Sequence, residues 1–189
     1  MARPLDPRID RAIASTALAL LTERGFAGMS MEALAESAGV GKPAIYRRFR
    51  DKADLVASVI DGQLPTLEVP DLDDTRAELW QALDSGLPVD GPAYVGLIGG
   101  LIAEQNRHPE LIEAFRRSVL APRRATVRAL IERGQEREDL RVDMDPEAAL
   151  DLLAGPFLAR VFAGLDTGPR WRRAAFATWW EIVKEGEDR

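Results

Sequence analysis

The chain has 189 residues, 46% of them hydrophobic and 30% charged, with a formal net charge of -6, so it can bury a core as one large domain or two small ones. It has no cysteine and a single histidine, His108, which excludes disulfides, thiolate chemistry and a His/Cys metal cluster, and no cofactor is expected. No apolar run of about 18 residues occurs and MARPLDPRID lacks a signal-peptide stretch, so a cytoplasmic protein with no membrane partner is expected.

The predicted elements are all helices. The first opens at Asp6-Pro7, a capping residue followed by a proline where its missing N–H costs nothing. Ile9, Ile13, Ala17 and Leu20 recur at helical spacing until Gly25 ends the pattern. A second helix starts at Ser30 and stops before Gly39, a residue suited to a sharp turn with positive φ. A third, short one runs from about Lys42 to Phe49. Asp51 caps a fourth, over 52–64, with Asp54 at the capping-box position. The stretch PTLEVPDLDD, 65–74, is turn-rich and acidic and marks a boundary. Beyond it follow TRAELWQALDSG, a helix that starts at Asp90-Gly91-Pro92, and another from His108-Pro109 to about Glu136 in which Pro122 should kink or split the pattern. PEAALDLLAGPFLARVFAG, with Pro156 inside, and PRWRRAAFATWWEIVKEG close the chain. The expectation is an all-α protein of about nine helices: an N-terminal domain over 1–52, the connecting fourth helix, and a second domain over 65–189.

Charge is unevenly divided between these parts. Residues 1–52 hold nine Lys/Arg against six Asp/Glu, whereas the rest of the chain holds 16 against 25. Five of the basic residues, Lys42, Arg47, Arg48, Arg50 and Lys52, lie within eleven positions. A basic head on an acidic body points to a polyanion met by the head alone.

The spacing of 30–49, a helix, a glycine turn and a second short helix, fits a helix-turn-helix, whose second helix enters the DNA major groove. Lys42, Pro43 and Ala44 then sit at the base edges, where Ala44 is small enough to touch a thymine methyl. Tyr46, Arg47 and Arg48 follow one turn later, and Lys52 adds charge beside the amide ends of the next helix. Ile45 and Phe49 face inward. A surface helix with solvated arginines explains the same spacing.

The stretch ALLTERGFAGMSMEALAESAGVGKPAIYRRFRDKADL resembles the DNA-binding domain of the tetracycline-repressor (TetR/AcrR) family of transcriptional regulators. The match covers about 43 residues, from Ile13 to Leu55, and HPELIEAFRRSVLAPRRATVRALIERGQEREDLRVDMDPEAALDLLAGPFLARVF resembles a C-terminal domain common in that family. The resemblance implies a homodimer, a double-stranded DNA operator of two half-sites, and a small-molecule effector held in the body. Carried across by position, it implies base or backbone contacts for Lys42, Pro43, Ala44, Tyr46 and Arg47, and phosphate contacts for Ser30 and Lys52. Glu32 falls near a position where some members place a DNA-contacting side chain.

The last two helices are rich in aromatic and aliphatic residues. Leu153, Phe157 and Val161 on one, and Phe176, Trp179, Trp180 and Val183 on the other, are expected to form a dimer seam, since so wide an apolar arc must be covered on more than one side. Leu152, Leu158 and Phe162 lie on an adjoining face. Packing within one monomer is the alternative. Tyr94, Ile98, Ile102 and Gln105 make a candidate pocket wall, with Trp80, Phe115 and Phe157 added on family analogy; core packing explains the same pattern. His108 reads as a helix N-terminal residue. There is no G-x-S-x-G, phosphate-binding loop or metal-ligand spacing. The expected function is therefore a ligand-responsive DNA-binding regulator, a repressor released by an apolar effector, and not an enzyme. A helical module without an effector is the alternative.

Overall fold

Three of the first four helices begin where a side chain takes a free amide of the first turn. In the computed structural model, which describes residues 6–62, 64, 67–86 and 91–186, the Asp6 carboxylate accepts from the Arg8 amide at 2.9 Å and opens α1, Pro7–Gly28. Ser30 Oγ accepts from the Ala33 amide at 3.0 Å and opens α2, Met31–Ser37. Asp51 accepts from Asp54 at 2.8 Å and opens α4, Lys52–Asp61. Asp54 reaches back one residue further than a capping box, to the Arg50 amide and guanidinium. Between them α3 is short, Lys42–Tyr46, with Pro43 in its first turn. Gly25 breaks α1 with φ +67, and the chain reforms one helical turn before Met29. Gly39 has φ +64 in the turn between α2 and α3, the left-handed conformation that turn needs.

The remaining helices are α5, Thr75–Gly86; α6, Gly91–Glu104; α7, Pro109–Phe115; α8, Ala121–Glu136; α9, Pro146–Phe162; and α10, Pro169–Val183. The expected helix start at Asp90 and the start of the linker at Pro65 lie outside the described residues. The α-helical run expected around Pro122 is divided just before it: α7 gives way to a π-helical segment, Arg116–Leu120, and α8 starts at Ala121. A proline in a helix lacks an N–H and crowds the carbonyl four residues back. The wider π turn just before Pro122 relieves that crowding within 109–136. Counted as one run, it leaves nine helices among the described residues, with no strand and a single isolated bridge between Leu140 and Lys184.

The described chain forms two compact units. The first joins 6–62 to 96–120, and the second joins 64–86 and 91–95 to 121–186. The head is therefore supported by a later piece of chain. Helix α7 packs on α4, where Leu55, Ile60, Leu111 and Phe115 are buried. Over 1–63 and 96–120 the balance is 12 Lys/Arg to 11 Asp/Glu, so the basic excess is local to 42–52 and not a property of the unit.

In the second unit α5, α8, α9 and α10 enclose Leu79, Ile131, Leu150, Leu153, Phe176 and Trp179. Gly134 lets α8 approach closely: a Cβ there would meet Thr75 Cγ2 at 2.5 Å and Leu140 Cδ1 at 2.8 Å. Glu78, fully buried on α5, accepts from Arg133, from Arg137 and from the Leu72 amide. Burial pushes the Glu78 carboxyl up, but these bonds outweigh it and hold the group below its ordinary value.

Most of the residues expected at a dimer seam pack in this core instead. Leu153, Phe157, Phe176, Trp179 and Val183 are buried inside the unit, and Val161 and Trp180 are half-buried. The large apolar residues of α9 and α10 left open are the adjoining set, Leu152, Leu158 and Phe162, together with Ile182; Phe162 is 75% exposed. One sequence stripe cannot say which of two adjacent apolar faces the neighbouring helices cover; α5 and α8 take this one.

Candidate nucleic-acid interface

Helices α2 and α3 place the residues singled out for DNA on either side of the Gly39 turn. Leu34, Ala35 and Ile45 are buried between them and α1, Phe49 is half-buried, and the Val40 amide donates to Ala35 at 3.0 Å. This packing leaves Ser30, Lys42, Pro43, Tyr46 and Arg47 exposed and Ala44 half-exposed. Tyr46 is 52% exposed, a large aromatic with no polar partner among the described residues, and Arg47 likewise has none. Lys42 donates to Glu32 Oε1 at 2.7 Å, joining the first turns of α2 and α3. The Lys42 hydrogen bond holds the Glu32 carboxyl below its ordinary value.

Two of the cations singled out for DNA are engaged elsewhere. The Arg48 side chain is 4% exposed; its guanidinium pairs with Asp10 and donates to the Ala44 carbonyl at 2.9 Å. It ties the end of α3 to the start of α1. Lys52 donates to the carbonyls of Phe26 at 2.8 Å and Met29 at 2.9 Å, with Nζ 4.0 Å from the Phe26 ring centroid. Burial lowers the Lys52 ammonium from its ordinary value, against the opposing charges of Glu110 and Glu104. The Phe26 carbonyl lies in the last turn of α1 and the Met29 carbonyl just past it, where helical donors run out, and this ammonium supplies one to each. Sequence spacing carries no sign of either contact, because the partners lie 38 and 26 residues away.

The pocket candidates are divided between the two units. Trp80 and Phe157 belong to the second unit, and Trp80 meets Phe176 edge-on at 5.4 Å. Phe115 is buried in the core of the first unit. Ile102 is exposed and Tyr94, Ile98 and Gln105 are half-buried, strung along α6 and just past its end. A recess of about 20 Å³ beside Phe157, lined also by Leu83, Leu152, Pro156, Trp171 and Arg172, has room for one water. His108 precedes α7 and packs edge-on against Phe26 at 4.9 Å. No cluster of metal-binding side chains occurs among the described residues.

A capped helix, a left-handed glycine turn and a short exposed basic helix define a DNA-binding helix-turn-helix protein. The chain belongs to the TetR family: residues 13–59 match the family profile described as "Bacterial regulatory proteins, tetR family", and 69–178 match "Tetracyclin repressor-like, C-terminal domain". It is 31% identical to the HTH-type transcriptional regulator YdeS of Bacillus subtilis, over 84% of this chain and 81% of that one. It is 27% identical to the HTH-type regulator Rv1556 of Mycobacterium tuberculosis, over 83% and 77%. Among solved structures, the flavonoid-responsive regulator FrrA superposes with a TM-score of 0.63 at 24% identity, covering 94% of this chain and 97% of that one. A regulator from Saccharomonospora viridis in complex with choline gives 0.64 at 19%, over 96% and 100%. The protein is a transcriptional regulator and not an enzyme. No helix among the described residues is long and apolar enough to cross a membrane.

Proposed function

We propose that the protein is a homodimeric repressor that holds an operator of two half-sites through α3 and releases it when a small apolar molecule binds the body. The observation that carries this reading is the exposed group Lys42, Pro43, Tyr46 and Arg47 on a helix whose other face is locked by Ile45. Arg47 has no side-chain partner among the described residues and lies beside the helix assigned to the major groove, and an unpaired arginine is suited to guanine or phosphate. Pro43 and Ala44 keep the first turn low enough for close approach, and Ser30 offers a hydroxyl beside the phosphates. The exposed face of Leu152, Leu158, Phe162 and Ile182 supports a second copy of the chain as the partner of α9 and α10. A dimer sets two recognition helices about one DNA turn, roughly 34 Å, apart.

A regulator without an effector is the second reading: the recess beside Phe157, at about 20 Å³, has room for a water and not for an effector. The flavonoid and choline named for two structural neighbours differ widely in chemistry, so the fold does not choose between effectors. Selection of bound fragments from random DNA, followed by gel shifts at two salt concentrations, tests the operator. A palindromic consensus with salt-dependent binding is expected, and binding without sequence preference would sink the proposal. Thermal shift against an apolar library in the presence of operator then separates the two readings.

A further inference from the structure

The ion pair between Glu32 and Lys42 stands in the surface that this reading assigns to DNA. Its two members are 61% and 51% exposed and 2.7 Å apart. Such a pair contributes little to stability, because water screens both charges. Yet it sets a carboxylate in a face meant for a polyanion, where it repels phosphate and neutralises the lysine beside Tyr46 and Arg47. Its chemistry fits a different task.

We infer that Glu32 and Lys42 together are a specificity-determining element that reads the orientation of one base pair in each half-site. In the major groove guanine offers O6 and N7 as acceptors and thymine O4, while cytosine and adenine offer amino donors at N4 and N6. Within a base pair the keto oxygen and amino nitrogen are hydrogen-bonded to each other, about 2.9 Å apart. That separation matches the spacing of Lys42 Nζ and Glu32 Oε1. The ammonium can donate to the keto partner while the carboxylate accepts from the amino partner, with the ion pair intact. A G·C pair with guanine under Lys42 is the best match, because N7 gives the ammonium a second acceptor. T·A in the same sense has O4 alone and presents its methyl group. C·G and A·T set amino against ammonium and keto oxygen against carboxylate, which repel.

The inference rests on the DNA-binding reading, and the experiment separates the two. Full-length protein, Glu32→Gln and Glu32→Ala are titrated against the selected operator and against versions carrying all four pairs at each position of a half-site, with thermal melts to check folding. In the wild type one position should favour G·C, tolerate T·A, and bind C·G and A·T about tenfold or more weakly. Both variants should flatten that position alone to less than about threefold and keep the other preferences. Both should also bind scrambled DNA more tightly than the wild type does. An unchanged preference at every position, or an equal loss on all DNA, overturns the role of Glu32 while leaving DNA binding intact. A wild type without any sequence preference overturns the DNA-binding reading, and this inference with it.

Discussion

The indole N–H of Trp179 donates to the carbonyl oxygen of Ala149 at 3.0 Å, in the buried interior of the second unit. This bond fixes α10 against α9 within one chain, and it separates residues that hold the fold from those free to meet a partner. Trp179→Ala should lower stability by about 3–5 kcal/mol, as removal of a buried aromatic does. Phe162→Glu, on the exposed face, should keep its helical circular dichroism and sediment as a monomer at micromolar concentration. A Phe162→Glu protein that remains dimeric removes this face as the interface.

Arg47 and Arg48 are neighbours in sequence with opposite tasks. Arg47→Ala should flatten the salt dependence of operator binding by about one unit of slope for each phosphate it no longer neutralises, which a symmetric dimer doubles. Arg48→Ala removes the partner of Asp10 and the bond to the Ala44 carbonyl. It should lower the melting temperature, at about 1–3 kcal/mol for hydrogen bonds from a charged donor. Binding isotherms at several salt concentrations, beside thermal melts, distinguish the two. A larger salt effect from Arg48→Ala would reverse the assignment.

Lys52 closes the end of α1 through two carbonyls and the face of Phe26. Lys52→Met keeps most of the stem and removes the donor, so it should cost about 1–2 kcal/mol. Its salt slope on operator DNA should equal that of the wild type, which titrations across ionic strength would check.

Glu78 gives the second unit a pH-dependent element. Its folded value lies below the 4.5 of a free glutamate. The stability it contributes is therefore fully present above 4.5 and is lost as pH falls through the folded value. Glu78→Gln leaves Arg133 and Arg137 without their shared carboxylate and should cost about 3 kcal/mol at neutral pH. That deficit should shrink below pH 4.5, as the wild-type carboxyl takes up its proton. Urea unfolding at both pH values reads the effect, and a deficit that is constant with pH would count against it.

The sequence by itself determined the helices, their caps and the recognition segment. Those signals are local: Asp6, Ser30 and Asp51 act on amides two or three residues away, and Gly39 acts through its own φ. The family resemblance was legible for the same reason, since its motif lies within one continuous stretch. Only the tertiary structure decided which cations are free, because Arg48 and Lys52 find partners on α1 that no spacing rule connects to them. It also decided which apolar stripe of α9 and α10 is core and which is surface. Both stripes satisfy helical periodicity equally, and the choice depends on where α5 and α8 pack. That packing depends in turn on contacts remote in sequence, Gly134 against Thr75 and Glu78 against Arg133 and Arg137. Periodicity records that a face is apolar; only the positions of the neighbouring helices determine what covers it.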